Sequence, residues 1–175
     1  SGTTLSYSKV GGSDQAKFDL NSSTGVLTFT SSPNYESPTD AGTNNTYVVQ
    51  VRASDGSLHD EQTITVTVTN ANEAPTITSN GGGTAASKSV AENQTAILTV
   101  AASDPEGTSV AYSLQGGSDQ SKFSINANSG ALSFKTAPNY ENPTDAGSNN
   151  TYVVKVRASA GSKYDEQTIT VTVTN

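Results

Sequence analysis

The run Thr63-Ile64-Thr65-Val66-Thr67-Val68-Thr69 alternates apolar and polar residues without a break. In an extended chain this puts Ile64, Val66 and Val68 on one face and the threonines on the other, the pattern of a half-buried strand. Upstream, Tyr47-Val48-Val49-Gln50-Val51-Arg52-Ala53 directs Tyr47, Val49, Val51 and Ala53 to one side and turns Gln50 and Arg52 to water. The polar stretch 54–60 joins the two. Further strands are predicted over residues 5–9, 17–20 and 26–30, separated by Gly11-Gly12 and by the polar residues 22–25. No segment reads as a convincing helix. Short strands punctuated by turn signals every ~8–12 residues predict an all-β sandwich, with room for about seven strands in each folding unit.

The same pattern recurs 105 residues later without a gap. Tyr7 falls on Tyr112, Phe18 on Phe123, residues 33–36 on 138–141, and 63–70 on 168–175; segments 5–70 and 110–175 agree at 45 of 66 positions. Such agreement requires two copies of one unit, and tandem beads serve reach and multivalency more readily than a catalytic cleft. The expected organisation is a partial copy over 1–70, a linker over 71–74 and a complete copy over 75–175. By the offset Ser1 matches Glu106, so the first copy is expected to lack the counterpart of 75–105, including strands predicted near 88–92 and 95–102. The missing strands come either from residues outside this sequence or from a neighbouring chain.

Composition narrows the function classes. Sixteen Asp and Glu against nine Lys and Arg give a net charge of −7, which disfavours phosphate backbones and anionic membranes and favours cations. Nucleic acid is not expected as a partner on this ground. No apolar run approaches the ~18 residues of a membrane span, so membrane insertion is not expected. Cysteine is absent, leaving core packing or bound metal to supply rigidity, and the absence of methionine reads as a piece of a longer chain. Richness in Thr, Ser, Asn and Gly points to an extracellular or bacterial cell-surface location. The lone His59 has no second histidine or cysteine for a transition-metal site and no triad partner, so no enzyme is expected.

Oxygen-bearing side chains gather around the junction. Asn70-Ala71-Asn72-Glu73-Ala74-Pro75 closes one copy and opens the next, Ser103-Asp104-Pro105-Glu106-Gly107 follows, and Pro33-Asn34-Tyr35-Glu36 lies behind. A hard cation such as Ca²⁺ takes six to eight oxygen ligands, which a short linker can assemble only by recruiting the domains on either side. Glu36, Glu73, Asp104 and Glu106 offer carboxylates, and Asn70 and Asn72 neutral oxygens. Without a cation these carboxylates would repel one another.

Four elements, Val90-Ala91-Glu92-Asn93, the Asp104/Glu106 pair, Asn34-Tyr35-Glu36 and the 70–75 linker, resemble the calcium motifs of cadherin repeats in the same order. Phe18-Asp19-Leu20 followed by Thr24-Gly25-Val26-Leu27 is similar to the middle of those repeats, and the Asn-x-Asn-Glu-Ala-Pro linker looks like the bacterial cadherin-like variant. The resemblance implies tandem seven-stranded Greek-key sandwiches whose junctions are stiffened by calcium, within a large bacterial surface or secreted protein. Carried over, it assigns Asn34, Glu36, Asn70, Asn72, Glu73, Asp104 and Glu106 to the junction. Glu92, Asn139 and Glu141 form a half-site for a following domain, and Asp55, whose counterpart is Ala160, one for a preceding junction. One or two Ca²⁺ ions with affinity on the order of 10⁻⁴–10⁻³ M are expected at the junction.

The implied role is a rigid spacer or adhesion element whose partners are neighbouring repeats or a second copy of the chain. A carbohydrate-binding module attaching an exported enzyme or cell to polysaccharide is the alternative. Tyr35 and Tyr140 are its candidate stacking platforms, with packing against the adjacent strand as their plainer role. The repeated loops at 40–45 and 145–150 read as turn chemistry, in which Asp, Gly and Asn take unusual backbone angles.

Overall fold

A computed structural model describes residues 4–175, so the first three residues of the expected 1–70 copy lie outside the described part. The chain divides into two compact units, one running through Ala71 and the other over Asn72–Asn175. The first contains β1 (Ser6–Gly11), β2 (Phe18–Leu20), β3 (Leu27–Phe29), β4 (Thr46–Ser54) and β5 (His59–Thr67). The second contains β6 (Thr76–Ile77), β7 (Ala85–Ala91), β8 (Ala96–Thr99), β9 (Ala102–Ser103), β10 (Ala111–Gly116), β11 (Phe123–Ile125), β12 (Ala131–Phe134), β13 (Thr151–Ala160) and β14 (Lys163–Thr174). Among the described residues the only helical pieces are single 3₁₀ turns at Gln15–Lys17 and Gln120–Lys122.

In the second unit a four-stranded sheet of order β10-β13-β14-β7 faces a three-stranded sheet of order β11-β12-β8, and β6 pairs with β9 at one side. The chain crosses between the principal sheets after β7, β9, β10 and β12, which gives the expected seven-stranded Greek-key sandwich. One core fills it: Phe123, Leu132 and Phe134 from one sheet meet Tyr152, Val154, Val156, Ile169, Val171 and Val173 from the other. Phe123 stacks on Phe134 with centroids 4.9 Å apart and Tyr152 meets Phe134 edge-on at 5.1 Å. The Tyr152 hydroxyl accepts the Thr144 backbone N–H at 3.2 Å, tying the loop after β12 to the core.

The first unit repeats the second half of this plan. β1-β4-β5 corresponds to β10-β13-β14, β2-β3 to β11-β12, and Phe18, Phe29 and Tyr47 rebuild the aromatic cluster. Among the described residues, nothing pairs with the outer edge of β5. The cost shows in burial: Ile169, Val171 and Val173 are at most 1% exposed, whereas their copies Ile64, Val66 and Val68 are half-buried. Full burial of such a side chain is worth about 1.5–3 kcal/mol, so the first unit gains less from the same stripe.

The strand predicted near 95–102 is split. Val100 donates to the Gly130 carbonyl and Ala101 to the Ser79 hydroxyl, so the chain bends there and passes from pairing with β12 to pairing with β6. The segment predicted at 17–20 begins inside a 3₁₀ turn. Gly12, at φ +100, precedes that turn, and a Cβ there would collide with the Val48 carbonyl, so only glycine lets the chain pass so close to β4.

Candidate functional site

Two clusters of oxygen-bearing side chains form within the second unit, one at each end. At the N-terminal end, the turn after β9 is closed by Gly107 N–H donating to Asp104 O at 3.0 Å and Thr108 N–H donating to Asp104 Oδ1 at 3.0 Å. Proline and glycine on either side of Glu106 favour such a turn, which brings the Asp104 and Glu106 side chains together. Glu106 Oε1 then accepts the backbone N–H of Glu73 at 2.9 Å. Asn72 sits beside it, its Nδ2 donating to Glu73 O at 3.1 Å.

The Glu106 carboxyl is held below the usual carboxylate range, first by the Glu73 N–H and then by the Glu73 side chain, with the Asp104 side chain adding to the effect. Carboxyl groups this close repel when ionised and are reconciled only by a shared proton or a shared cation. Asp104 Oδ2 and Glu106 Oε2 are buried and have no hydrogen-bond donor among the described residues. Orphaned carboxylate oxygens are costly unless something positive meets them. An all-oxygen donor set with two such atoms fits a hard cation of the Ca²⁺ type and offers nothing to a thiophilic metal.

At the other end, three segments converge. Glu92, following β7, donates its N–H to Thr174 O at 2.8 Å, and Asn93 N–H bonds Pro138 O at 2.9 Å. Glu92 Oε2 accepts from Tyr140 N at 3.0 Å. Asn139 Oδ1 accepts from Glu141 N at 2.9 Å and Asn142 N at 3.0 Å, so this side chain shapes the loop that presents Glu141. Asn175 Nδ2 donates to Glu141 Oε1 at 3.0 Å. Asn175 joins the cluster as well, and its signal in the sequence is the 105-residue offset that makes it the copy of Asn70.

In the first unit Asn34 Oδ1 accepts the Glu36 N–H at 2.8 Å, the turn seen at Asn139, and Asn70 is exposed beyond β5. Asp55 is engaged differently. Its Oδ1 accepts from Leu58 N at 2.7 Å, Ser57 N at 2.9 Å and Ser57 Oγ at 3.0 Å, which lowers its pKa and closes the β4–β5 hairpin. Tyr35 and Tyr140 are each 40% exposed.

The cadherin domain family matches residues 86–174. Protocadherin Fat 2 of Rattus norvegicus is 35% identical over 145 residues, covering 77% of this chain and 3% of that protein. Protocadherin Fat 1 of Homo sapiens is 31% identical over 127 residues, again covering 3% of its length. The chain thus spans a small fraction of the relatives it matches. Among solved structures, human Protocadherin-24 EC1-2 aligns with 98% of this chain and 82% of its own at TM-score 0.58 and 21% identity. Protocadherin Gamma B2 extracellular cadherin domains 3-6 align with 99% of this chain and 42% of their own at TM-score 0.56 and 22% identity. At these identities the structural likeness establishes the fold.

Proposed function

Because the chain belongs to the cadherin domain family, we propose that it is a calcium-stiffened spacer and adhesion module acting outside the cell, within a larger protein built of such repeats. Cadherin domains as a family bind calcium. The observation that carries the reading here is the crowding of Glu73, Asp104 and Glu106 within the second unit, with two buried oxygens lacking donors. A divalent cation meets those oxygens and removes the repulsion in one step.

In this reading Asn34, Glu36 and Asn70 of the preceding repeat complete the coordination together with Asn72, and Asn34 also holds the turn that presents Glu36. Glu92, Glu141 and Asn175 form the corresponding half-site for a following repeat, with Asn139 presenting Glu141 and a neighbouring repeat as the partner. Asp55 is the contribution to a preceding junction. The module holds no catalytic role. The Asn-x-Asn-Glu-Ala-Pro linker and the agreement of the copies at 45 of 66 positions support a bacterial surface or secreted protein as parent. A parent locus whose coding sequence is broken by introns would contradict that origin.

Titration calorimetry with Ca²⁺ on the intact chain and on the Glu73→Ala, Asp104→Ala double variant tests the site. The wild type is expected to bind with Kd on the order of 10⁻⁴–10⁻³ M, and the variant to lose at least one ion. Equal binding by both would sink the assignment.

A further inference from the structure

A cavity of about 410 Å³ opens in the second unit between the 3₁₀ turn before β11 and the loop after β12, well away from Glu73, Asp104 and Glu106 in sequence. Lys122 and Lys135 line it together with Phe134 and Ala137, and Ser121, Asn139 and Asn142 contribute polar groups. At the corresponding place in the first unit the cavity is about 10 Å³. The lining also differs in its side chains. Lys135 replaces Thr30, Ser121 replaces Ala16, Ala137 replaces Ser32 and Asn142 replaces Ser37, although 33–36 and 138–141 are identical.

Charge is the second distinguishing feature. Lys135 N donates to Lys122 O at 2.8 Å, so the two lysines stand on adjacent backbone segments of a chain whose net charge is −7. Neither ammonium has an ion-pair partner among the described residues. Lys122 lies near enough to Asp119 to help lower its pKa, yet both Asp119 oxygens are already engaged by Ser118, Ala146 and Val153. Two unpaired cations therefore share one concave surface with apolar lining and neutral hydrogen-bonding groups, the mixture that small-ligand sites of this size display.

We infer that this cavity is a binding site for an acidic saccharide, a uronate residue of a polysaccharide. A pyranose presents an apolar C–H face, which suits Ala137 and the aliphatic stems of the two exposed lysines, and a rim of hydroxyls, which suits Ser121 and Asn142. Its carboxylate supplies the anion that the two lysines lack. The site adjoins the loop in which Asn139 presents Glu141, and it sits in one copy only, so a tandem protein would carry it on selected repeats.

The test is titration of the full chain with trigalacturonic acid in the presence of chelator, which removes any calcium bridge between protein and uronate. Galactotriose serves as the neutral probe and inorganic sulfate as competitor. Trigalacturonate is expected to bind at least about tenfold more tightly than galactotriose, and Lys135→Thr combined with Lys122→Gln to weaken it roughly tenfold while leaving the melting temperature unchanged. Lys135→Thr installs the residue of the first unit and is compatible with the fold on that ground. Absence of saturable binding at millimolar probe, equal binding by the variant, or full displacement by equimolar sulfate would each overturn the assignment.

Discussion

Replacing Asp119 should unfold the second unit out of proportion to the size of the change. This carboxylate is 2% exposed, and it accepts the Ala146 N–H at 2.7 Å on Oδ1 and both the Val153 N–H at 2.8 Å and the Ser118 hydroxyl at 2.7 Å on Oδ2. It fastens the loop after β12 to the start of β13, and Asp14 does the same in the first unit through Ala41, Val48 and Ser13. Alanine would leave two backbone donors without an acceptor. At about 1–3 kcal/mol for each buried unsatisfied group, the loss for the two is roughly 2–6 kcal/mol, a large share of the ~5–15 kcal/mol that holds a small domain together. For a unit of about a hundred residues this lowers Tm by roughly 8 °C or more. Asparagine is the sharper probe, because it fills the same space but turns one acceptor into a donor facing an N–H. Scanning calorimetry of the intact chain should therefore show Asp119→Asn nearly as damaged as Asp119→Ala. An Asn variant within ~0.5 kcal/mol of wild type would refute the reasoning and reduce the residue to a space filler.

The same carboxylates give stability a pH dependence. Burial opposes ionisation of Asp119, but the Val153 N–H, the Ser118 hydroxyl and the Ala146 N–H together outweigh it, leaving the pKa below its ordinary value, and Asp14 is lowered in the same way. A carboxyl lowered on folding adds stability that is present above its unfolded pKa of about 3.9 and drains away as pH falls through the folded value. Tm measured by circular dichroism should hold steady from about pH 5 to 7 and drop below about pH 4, with a shallower drop in Asp119→Asn. Calcium should raise Tm by mass action: at an ion concentration tenfold above Kd the gain is about 1.4 kcal/mol, and it should shrink in Glu73→Ala by calorimetry. Glu166→Gln tests a surface group. Arg157 bonds Glu166 through both Nε and Nη2, and Lys155 approaches at 3.5 Å, but the site is solvated. Urea titration should show a loss of no more than ~1 kcal/mol.

The long strands were legible because their alternation survives intact. Val49, Val51 and Ile64 in one copy, and Val154, Val156 and Ile169 in the other, fall on the core-facing side as the period requires. What escaped was set by contacts between residues far apart in the chain. The two-residue β6 is held by Ile77 N–H donating to Asp165 Oδ2 at 2.8 Å across 88 residues, and no local pattern announces it. The bend that divides β8 from β9 depends on Ser79 and Gly130, each more than twenty residues away. Asp14 and Asp119 look like turn residues in the sequence, and their burial beneath β4 and β13 could not be read from it. At the candidate site, the motif spacing was enough to nominate Glu73, Asp104 and Glu106, because a short turn and a short linker carry them. Asn175 was passed over at the far end, where only the closing of β14 against the loop after β12 brings it to Glu141.

The central claim is that calcium hardens the linker between two like units. The chain has no cysteine, so Ser57→Cys and Ser162→Cys can be spin-labelled cleanly at equivalent exposed turns, one in each unit. Pulsed dipolar spectroscopy should show a broad distance distribution in chelator that narrows to a single sharp population in millimolar Ca²⁺. A distribution equally broad under both conditions would contradict the account.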